Sequence, residues 1–232
     1  MFTMQLAGVA FTVHNRYSYV AQLCRDYQVP ESGIDIAVTD AEIACENRDG
    51  APWSDAYLES LAVYRKICEK LLDEDVILFH SSAFALEGKA YLLAAPSGTG
   101  KSTHARLWRQ RFGSAVTTIN DDKPLIHLGA QGVTVYGTPY GGKEGLHTNT
   151  SAPVAGIVLL HRAAENAITR LEPRTAYPKL LNQTYRRTDA PGMLRTMDLV
   201  HRLCAVPLWS LGCNISQQAV EVAYRALIGG PL

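Results

Sequence analysis

The sequence contains no long hydrophobic run. No apolar stretch approaches the roughly 20 residues that a membrane-spanning helix requires. The mildly apolar start, Met1 to Val13, has neither a basic leader nor a small-residue cleavage site. No membrane partner and no secretory signal are therefore expected. Net charge is missing as well: 22 basic residues balance 22 acidic ones. Without a basic surplus, nucleic acid is not expected as a main ligand. Cysteine is sparse and scattered, at positions 24, 45, 68, 204 and 213, with no CxxC pair and no Cys/His set at zinc spacing. The five are read as small buried hydrophobes in a reducing compartment, which points to a cytoplasmic protein without a structural metal. Internal repeats, low-complexity tracts and an adenine-recognition motif are also absent.

What is present is an ordinary globular composition, 47% apolar and 19% charged over 232 residues, long enough for one or two domains with a sizeable core. The most informative stretch is 95–103, Ala-Pro-Ser-Gly-Thr-Gly-Lys-Ser-Thr. The apolar run Ala90–Ala94 before it suits a buried strand, and Thr103–Phe112 after it has helical composition. A strand, a glycine-rich turn and a helix start form an anion site, because the backbone N–H groups of the turn converge on phosphates and the helix dipole favours negative charge. Pro96, Ser97, Gly98, Thr99, Gly100, Lys101, Ser102 and Thr103 are the candidate nucleotide-binding residues. Lys101 would reach the terminal phosphates and the Ser102 hydroxyl would ligate Mg²⁺. Ala95 stands where the common pattern G-x-x-x-x-G-K-S/T has its first glycine. A glycine-rich turn with a solvated lysine is the plain alternative, and it explains neither the Lys-Ser pair nor the preceding strand.

Residues 1–75 read as a small α+β segment packed on the core: strands over Met4–Val13 and Ile34–Val38, a helix over Tyr17–Tyr27, and a second helix from the cap Ser54 to about Leu72. Tyr57, Leu58, Leu61, Tyr64, Cys68, Leu71 and Leu72 give that helix one apolar face. From residue 76 short β-rich runs come closely spaced, at Val76–Phe79, Ala83–Leu86, Ala90–Ala94, Val116–Ile119, Pro124–Leu128, Val133–Tyr136 and Val154–Leu160. A helical zone covers Thr175–Cys204, and a last helix runs from about Ser216 to Ile228. The pattern predicts an α/β core over 76–232 with a mixed sheet, not regular βαβ alternation. A boundary is expected near 50–53 or 73–75.

Asp121 and Asp122 come directly after a predicted strand. Adjacent residues at a strand end point in different directions, so one carboxylate can face a metal while the other faces an acceptor hydroxyl. A solvated Asp-Asp turn is the alternative. His80 could polarise a phosphate oxygen, tune the acidic pair, or simply be a satisfied histidine at a strand end. In 137–145, glycines permit close backbone approach, while Lys143 could contact phosphate and Glu144 supplies a carboxylate. His147 and Asn149 extend this loop without an assigned role. Arg174, Arg186, Arg187 and Arg195 are candidates for countering transition-state charge, with nothing to choose among them. Trp53 and Trp209 are read as core.

These features resemble the HPr kinase/phosphorylase catalytic domain and its relatives, the ATP-dependent phosphoenolpyruvate carboxykinases. The loop Ser97–Thr103 is similar to the carboxykinase form. Strands Ala83–Leu86 and Ala90–Ala94 around Gly88 match the hairpin that precedes the loop there. His80 lies 21 residues before Lys101, and Asn120-Asp121-Asp122 comes about 20 residues after it. The likeness covers about 76–228. It implies an HPr kinase/phosphoenolpyruvate carboxykinase-like core that uses ATP and Mg²⁺ and transfers the γ-phosphoryl group to a hydroxyl of a protein serine or a small metabolite. Asp121 would activate the acceptor, with His80 and Lys101 assisting, while Asp122, Ser102 and Glu144 would hold the metal. The family also runs the reaction in reverse and forms homo-oligomers. A nucleotide-binding regulator or slow ATPase without a dedicated acceptor is the alternative class.

Overall fold

The computed structural model describes residues 1–47 and 50–229. The chain divides into two compact units, Met1–Val76 and Ile77–Leu232. Among the described residues, no helix is long and apolar enough to cross a membrane.

The first unit is a three-stranded sheet with helices. Strand β1 (Phe2–Leu6) pairs antiparallel with β2 (Val9–His14), and after α1 (Ser18–Leu23) the chain returns as β3 (Ile34–Ala37), parallel to β2. The span Met4–Val13, expected as one strand, is split by a two-residue turn. Ala7 and Gly8 both take positive φ, +51° and +85°, which suits the right-handed twist of a tight hairpin. Helix α1 stops at Cys24, short of the expected Tyr27, and a 3₁₀ turn over Arg25–Tyr27 completes it. Its N-cap Tyr17 has no side-chain oxygen suited to capping. The fully buried Glu59 supplies one instead, accepting from the backbone N–H groups of Arg16 at 2.6 Å and Tyr17 at 3.1 Å. Helix α2 (Asp40–Ala44) carries a Thr39/Glu42 capping box. In α3 (Asp55–Leu71) Ser54 is the cap, and the face containing Leu58, Tyr64, Cys68 and Leu71 is buried. Trp53 is not core: it is 49% exposed and lies against the Tyr57 ring. Cys45 is likewise exposed, so the cysteines are not uniformly buried.

The second unit is mixed α/β. Its strands are β4 (Val76–Leu78, at the unit boundary), β5 (Ser81–Leu86), β6 (Lys89–Ala94), β7 (Val116–Asn120), β8 (Leu125–Gly129), β9 (Gly132–Tyr136), β10 (Ser151–Arg162), β11 (Ala167–Arg170) and β12 (Leu208–Cys213). They form one sheet in the order β4-β8-β9-β10-β6-β5-β7, with β12 on β10 and β11 on β12. The long β10 makes this sheet curl. Its first residues pair antiparallel with β9, and its later ones pair parallel with β6 on one side and β12 on the other. Helix α4 (Lys101–Phe112) starts directly after the glycine-rich turn, two residues earlier than expected. Helices α5 (Pro173–Gln183) and α6 (Ala190–Leu203) divide the expected helical zone, and α7 (Gln217–Leu227) ends the described chain. Strands β11 and β12 were not expected. In β12 Ser210 and Gly212 dilute the strand signal, and the strand is held by ladders on both sides.

The packing that fixes α4 centres on Trp108, which is fully buried. Its ring lies 4.8 Å from Phe84 of β5, 5.5 Å from Phe112 and 6.4 Å from Tyr224 of α7. Replacing Trp108 with Ala should cost about 3–5 kcal/mol, because the site is walled by strands that cannot collapse into the void. Urea unfolding tracked by circular dichroism measures this, and a loss under about 1 kcal/mol would refute the rigid-wall account.

Candidate functional site

The β5–β6 hairpin turns through Glu87 and Gly88, both at positive φ. Its register sets Ser81 opposite Ala94, so the start of β5 lies beside the end of β6. On its other edge β5 pairs with β7, with Ala83 opposite Asn120. Three segments far apart in sequence thus reach one end of the sheet: His80–Ser82, the loop after Ala94, and Asn120–Asp122.

Within the loop, Gly98 and Gly100 take φ of +75° and +121°, while a Cβ at either would meet open space. Conformation rather than crowding therefore demands glycine there. The N–H of Thr99 donates to the Pro96 carbonyl at 3.2 Å, and α4 begins at once with Lys101, so its first-turn amides are directed at the loop. Ala95 is buried, and its carbonyl accepts from Lys101 Nζ at 2.8 Å. Burial pulls the Lys101 ammonium below its usual pKa, opposed by the charges of Asp122 and Asp121. Arg162, at the end of β10, donates to the Gly98 carbonyl at 2.6 Å and so ties the loop to the central strand.

The acidic pair is organised by Asn120, which is fully buried. Its side-chain oxygen accepts from the N–H groups of Asp122 at 2.8 Å and Lys123 at 2.7 Å, and its amide nitrogen donates to the Thr138 carbonyl at 2.9 Å. The two carboxylates are sent to different partners. Asp121 is buried and accepts a short hydrogen bond from the Ser82 hydroxyl. Asp122 meets His80 Nε2 at 3.2 Å and pairs closely with Lys123. Burial would raise the Asp122 carboxyl, but the hydrogen bonds from His80 and Lys123 and their charges outweigh it, and the group is pulled down to about 2.

The loop, the pair and the segment 142–144 line one cavity of about 400 Å³. His80, Ser97, Gly98, Gly100, Lys101, Ser102, Thr103, Asp121, Asp122, Lys143 and Glu144 all contribute to its wall. Pro96 and Thr99 do not; they line neighbouring cavities on either side of the loop. Glu144 is exposed and lies 4.0 Å from Arg109 of α4. Gly142 approaches so closely that a Cβ there would stand 2.8 Å from that of Asp122. Asn149 does not line the cavity. His147 is bridged to Asn120. Arg174, Arg186, Arg187 and Arg195 lie outside it; Arg162 contacts the glycine-rich loop at Gly98 and Arg109 approaches Glu144. Trp209 is half-buried beneath the Arg170 guanidinium. Among the described residues no group of three or more His, Cys, Asp or Glu could hold a metal by itself. A hydroxyl and one carboxylate beside the glycine-rich loop would suit Mg²⁺ if phosphates were bound there, since that ion takes much of its shell from phosphate oxygens and water.

Sequence reasoning missed Ser82, Asn120 as an organiser, and Arg162. Ser82 carried a usable signal, since it stands two residues after His80 at the head of the hairpin. Arg162 carried none, because only the sheet brings it to Gly98.

No family model matches the chain, and no curated protein does. Among solved structures, it is similar to the Hpr(Ser) kinase/phosphatase from Coxiella burnetii, with a TM-score of 0.39 and 9% identity, over 64% of this chain and 94% of that one.

Asn120→Ala would strand two half-buried backbone N–H groups and should destabilise the protein by about 1–3 kcal/mol. It should also release the acidic pair from its turn. Thermal unfolding tests this, and a variant with an unchanged midpoint would show that the turn holds without Asn120.

Proposed function

We propose that this chain is an ATP- and Mg²⁺-dependent phosphotransferase that moves the γ-phosphoryl group to a hydroxyl acceptor, on a protein serine or a small metabolite. One observation carries the reading: the phosphate-type loop with Lys101 and the acidic pair line the same cavity. Phosphoryl transfer asks for little covalent help from the protein, only for positioned phosphates, countered charge and a group that takes the acceptor's proton.

Loop amides and the Lys101 ammonium would hold the β- and γ-phosphates. Lys101 has only to leave the Ala95 carbonyl, a neutral partner, to reach them. Mg²⁺, when bound, neutralises phosphate charge, and Ser102 and Asp122 would hold it, with Glu144 a further carboxylate at the rim. Asp122, with its carboxyl at about 2, is a poor base and a ready cation ligand at neutral pH. Asp121, whose side chain meets a neutral hydroxyl and no cation, is left as the base. It would accept the hydroxyl proton as the acceptor oxygen bonds to the γ-phosphorus and the bond to the β–γ bridging oxygen breaks, releasing ADP. His80 would keep Asp122 oriented, and Ser82 would do the same for Asp121.

Asp121→Asn should abolish transfer, by at least about a hundredfold, while leaving nucleotide affinity within a few-fold of normal. The assay is transfer from γ-labelled ATP with Mg²⁺ to a fractionated cytosolic extract, with Lys101→Ala as the control that loses both binding and label. Normal turnover in the Asn variant would remove Asp121 as the base. Phosphate release without any labelled acceptor would favour a slow nucleotidase or a nucleotide-switched regulator.

A further inference from the structure

We propose that a second cavity, which shares Gly98, Gly100 and Thr103 of the loop with the acidic one, is the nucleoside subsite, and that the buried ring of His104 is its hydrogen-bonding partner. The inference rests on the nucleotide reading above and adds where the base lies and what reads it.

The cavity measures about 530 Å³, within the range of sites that enclose small ligands. It opens where β10 and β12 end: Arg162 and Ala163 mark the end of one strand, Asn214 and Ile215 that of the other. These two strands run parallel, and the crevice outside the carboxyl ends of parallel strands is where ligands of α/β sheets settle. Of the cavities that border the loop, two are lined by the first turn of α4, and a nucleotide with its phosphates at Lys101 has both beside it. One leads to the acidic pair, where the acceptor must come. The other leads along the first turn of α4 into this second cavity.

His104 gives that direction a chemical reason. It is 2% exposed and lines the cavity, and neither ring nitrogen has a hydrogen-bond partner. Nearly all buried polar side-chain atoms are paired in folded proteins, so a ring with both nitrogens orphaned marks a place where a partner is expected. An imidazole offers one donor and one acceptor, the pattern of a base edge or a ribose hydroxyl and not that of a phosphate. It stands three residues after Lys101, about 4.5 Å along the helix axis, a short step from the terminal phosphates. Leu107, Cys213 and Ile215 give the cavity apolar walls suited to a flat ring. Ile215 is 78% exposed, a large apolar side chain left at the rim. The adjoining Asn214 is fixed by its bonds to the Ala164 carbonyl, Asn166 and Ser216, so the rim is formed before any ligand arrives.

Calorimetric titration with ATP and with inorganic tripolyphosphate, each with Mg²⁺, separates the two parts of the site. The wild type should bind ATP at least about tenfold more tightly than tripolyphosphate. His104→Phe should lose about tenfold in ATP affinity and nothing in tripolyphosphate affinity. His104→Gln, which keeps a donor and an acceptor, should recover most of the loss. Ile215→Ser, at an exposed position that folding does not require, should weaken ATP alone by a few-fold. Equal wild-type affinities for the two ligands would overturn the subsite while leaving the phosphate loop intact. An equal loss for both ligands in the His104 variants would mean that the ring only supports the loop. If neither ligand binds the wild type, the nucleotide reading itself falls.

Discussion

Everything chemical in this chain depends on the register of β5 between its two neighbours. Ser81 opposite Ala94 and Ala83 opposite Asn120 bring the histidine, the loop and the acidic pair to one edge. A slip of one residue would turn Ser82 away from Asp121 and reverse every side chain of the strand. The pairing with β7 also shifts between Ala83 and Phe84, so that two residues of β7 oppose one of β5 just before the pair. Such a bulge bends the strand and re-aims the residues beyond it, here Asn120 to Asp122. The aromatic packing of Trp108 holds the other partner, α4, against the same strands. One hairpin and one tryptophan cluster therefore set the distances on which the site relies.

The charges at the site are satisfied internally. Lys123 and His80 take Asp122, Ser82 takes Asp121, and Lys101 leans on a carbonyl with both acids near enough to oppose its loss of charge. A balanced net charge is thus compatible with a strongly polarised edge. Under the proposed function, an incoming polyphosphate with its cation would meet groups already positioned, exchanging one set of opposite charges for another. The cost of arranging them is borne in folding, which is what preorganisation means in electrostatic catalysis.

The parts legible in the sequence were local ones. The loop declares itself through glycines that need positive φ and through the Lys-Ser pair. The hairpin reads from two apolar runs around Gly88, and α3 from its apolar stripe and its Ser54 cap. The illegible parts were long-range. Arg162 lies 64 residues from the Gly98 carbonyl it holds. β12 is fixed by neighbours on both sides more than by its own composition. Trp53 was read as core because aromatics usually bury, yet it is exposed and rests against the Tyr57 ring. His104 went unread for another reason: on a helix with Leu107 and Trp108 nearby it looks like one more buried ring, and only the absence of partners for its nitrogens sets it apart.

The segment between β9 and β10 walls the same edge. Its base is fastened: Gly137 N–H donates to Thr150, Thr148 to Ile119, and Asp121 to Leu146. Gly137 must be glycine, since a Cβ there would lie 1.9 Å from the Thr148 carbonyl oxygen. The tip is different. Gly142, Lys143, Glu144 and Gly145 are exposed, and the glycines turn at φ of +72° and +62°. Gly142 nevertheless stands against Asp122, so the tip approaches the acid without covering it. Fastening the base while exposing the tip keeps the pair rigid and leaves the outermost charges, Lys143 and Glu144, facing whatever arrives. Under the proposed function, selectivity for the acceptor would lie with those tip residues and the chemistry with the strand end beneath them.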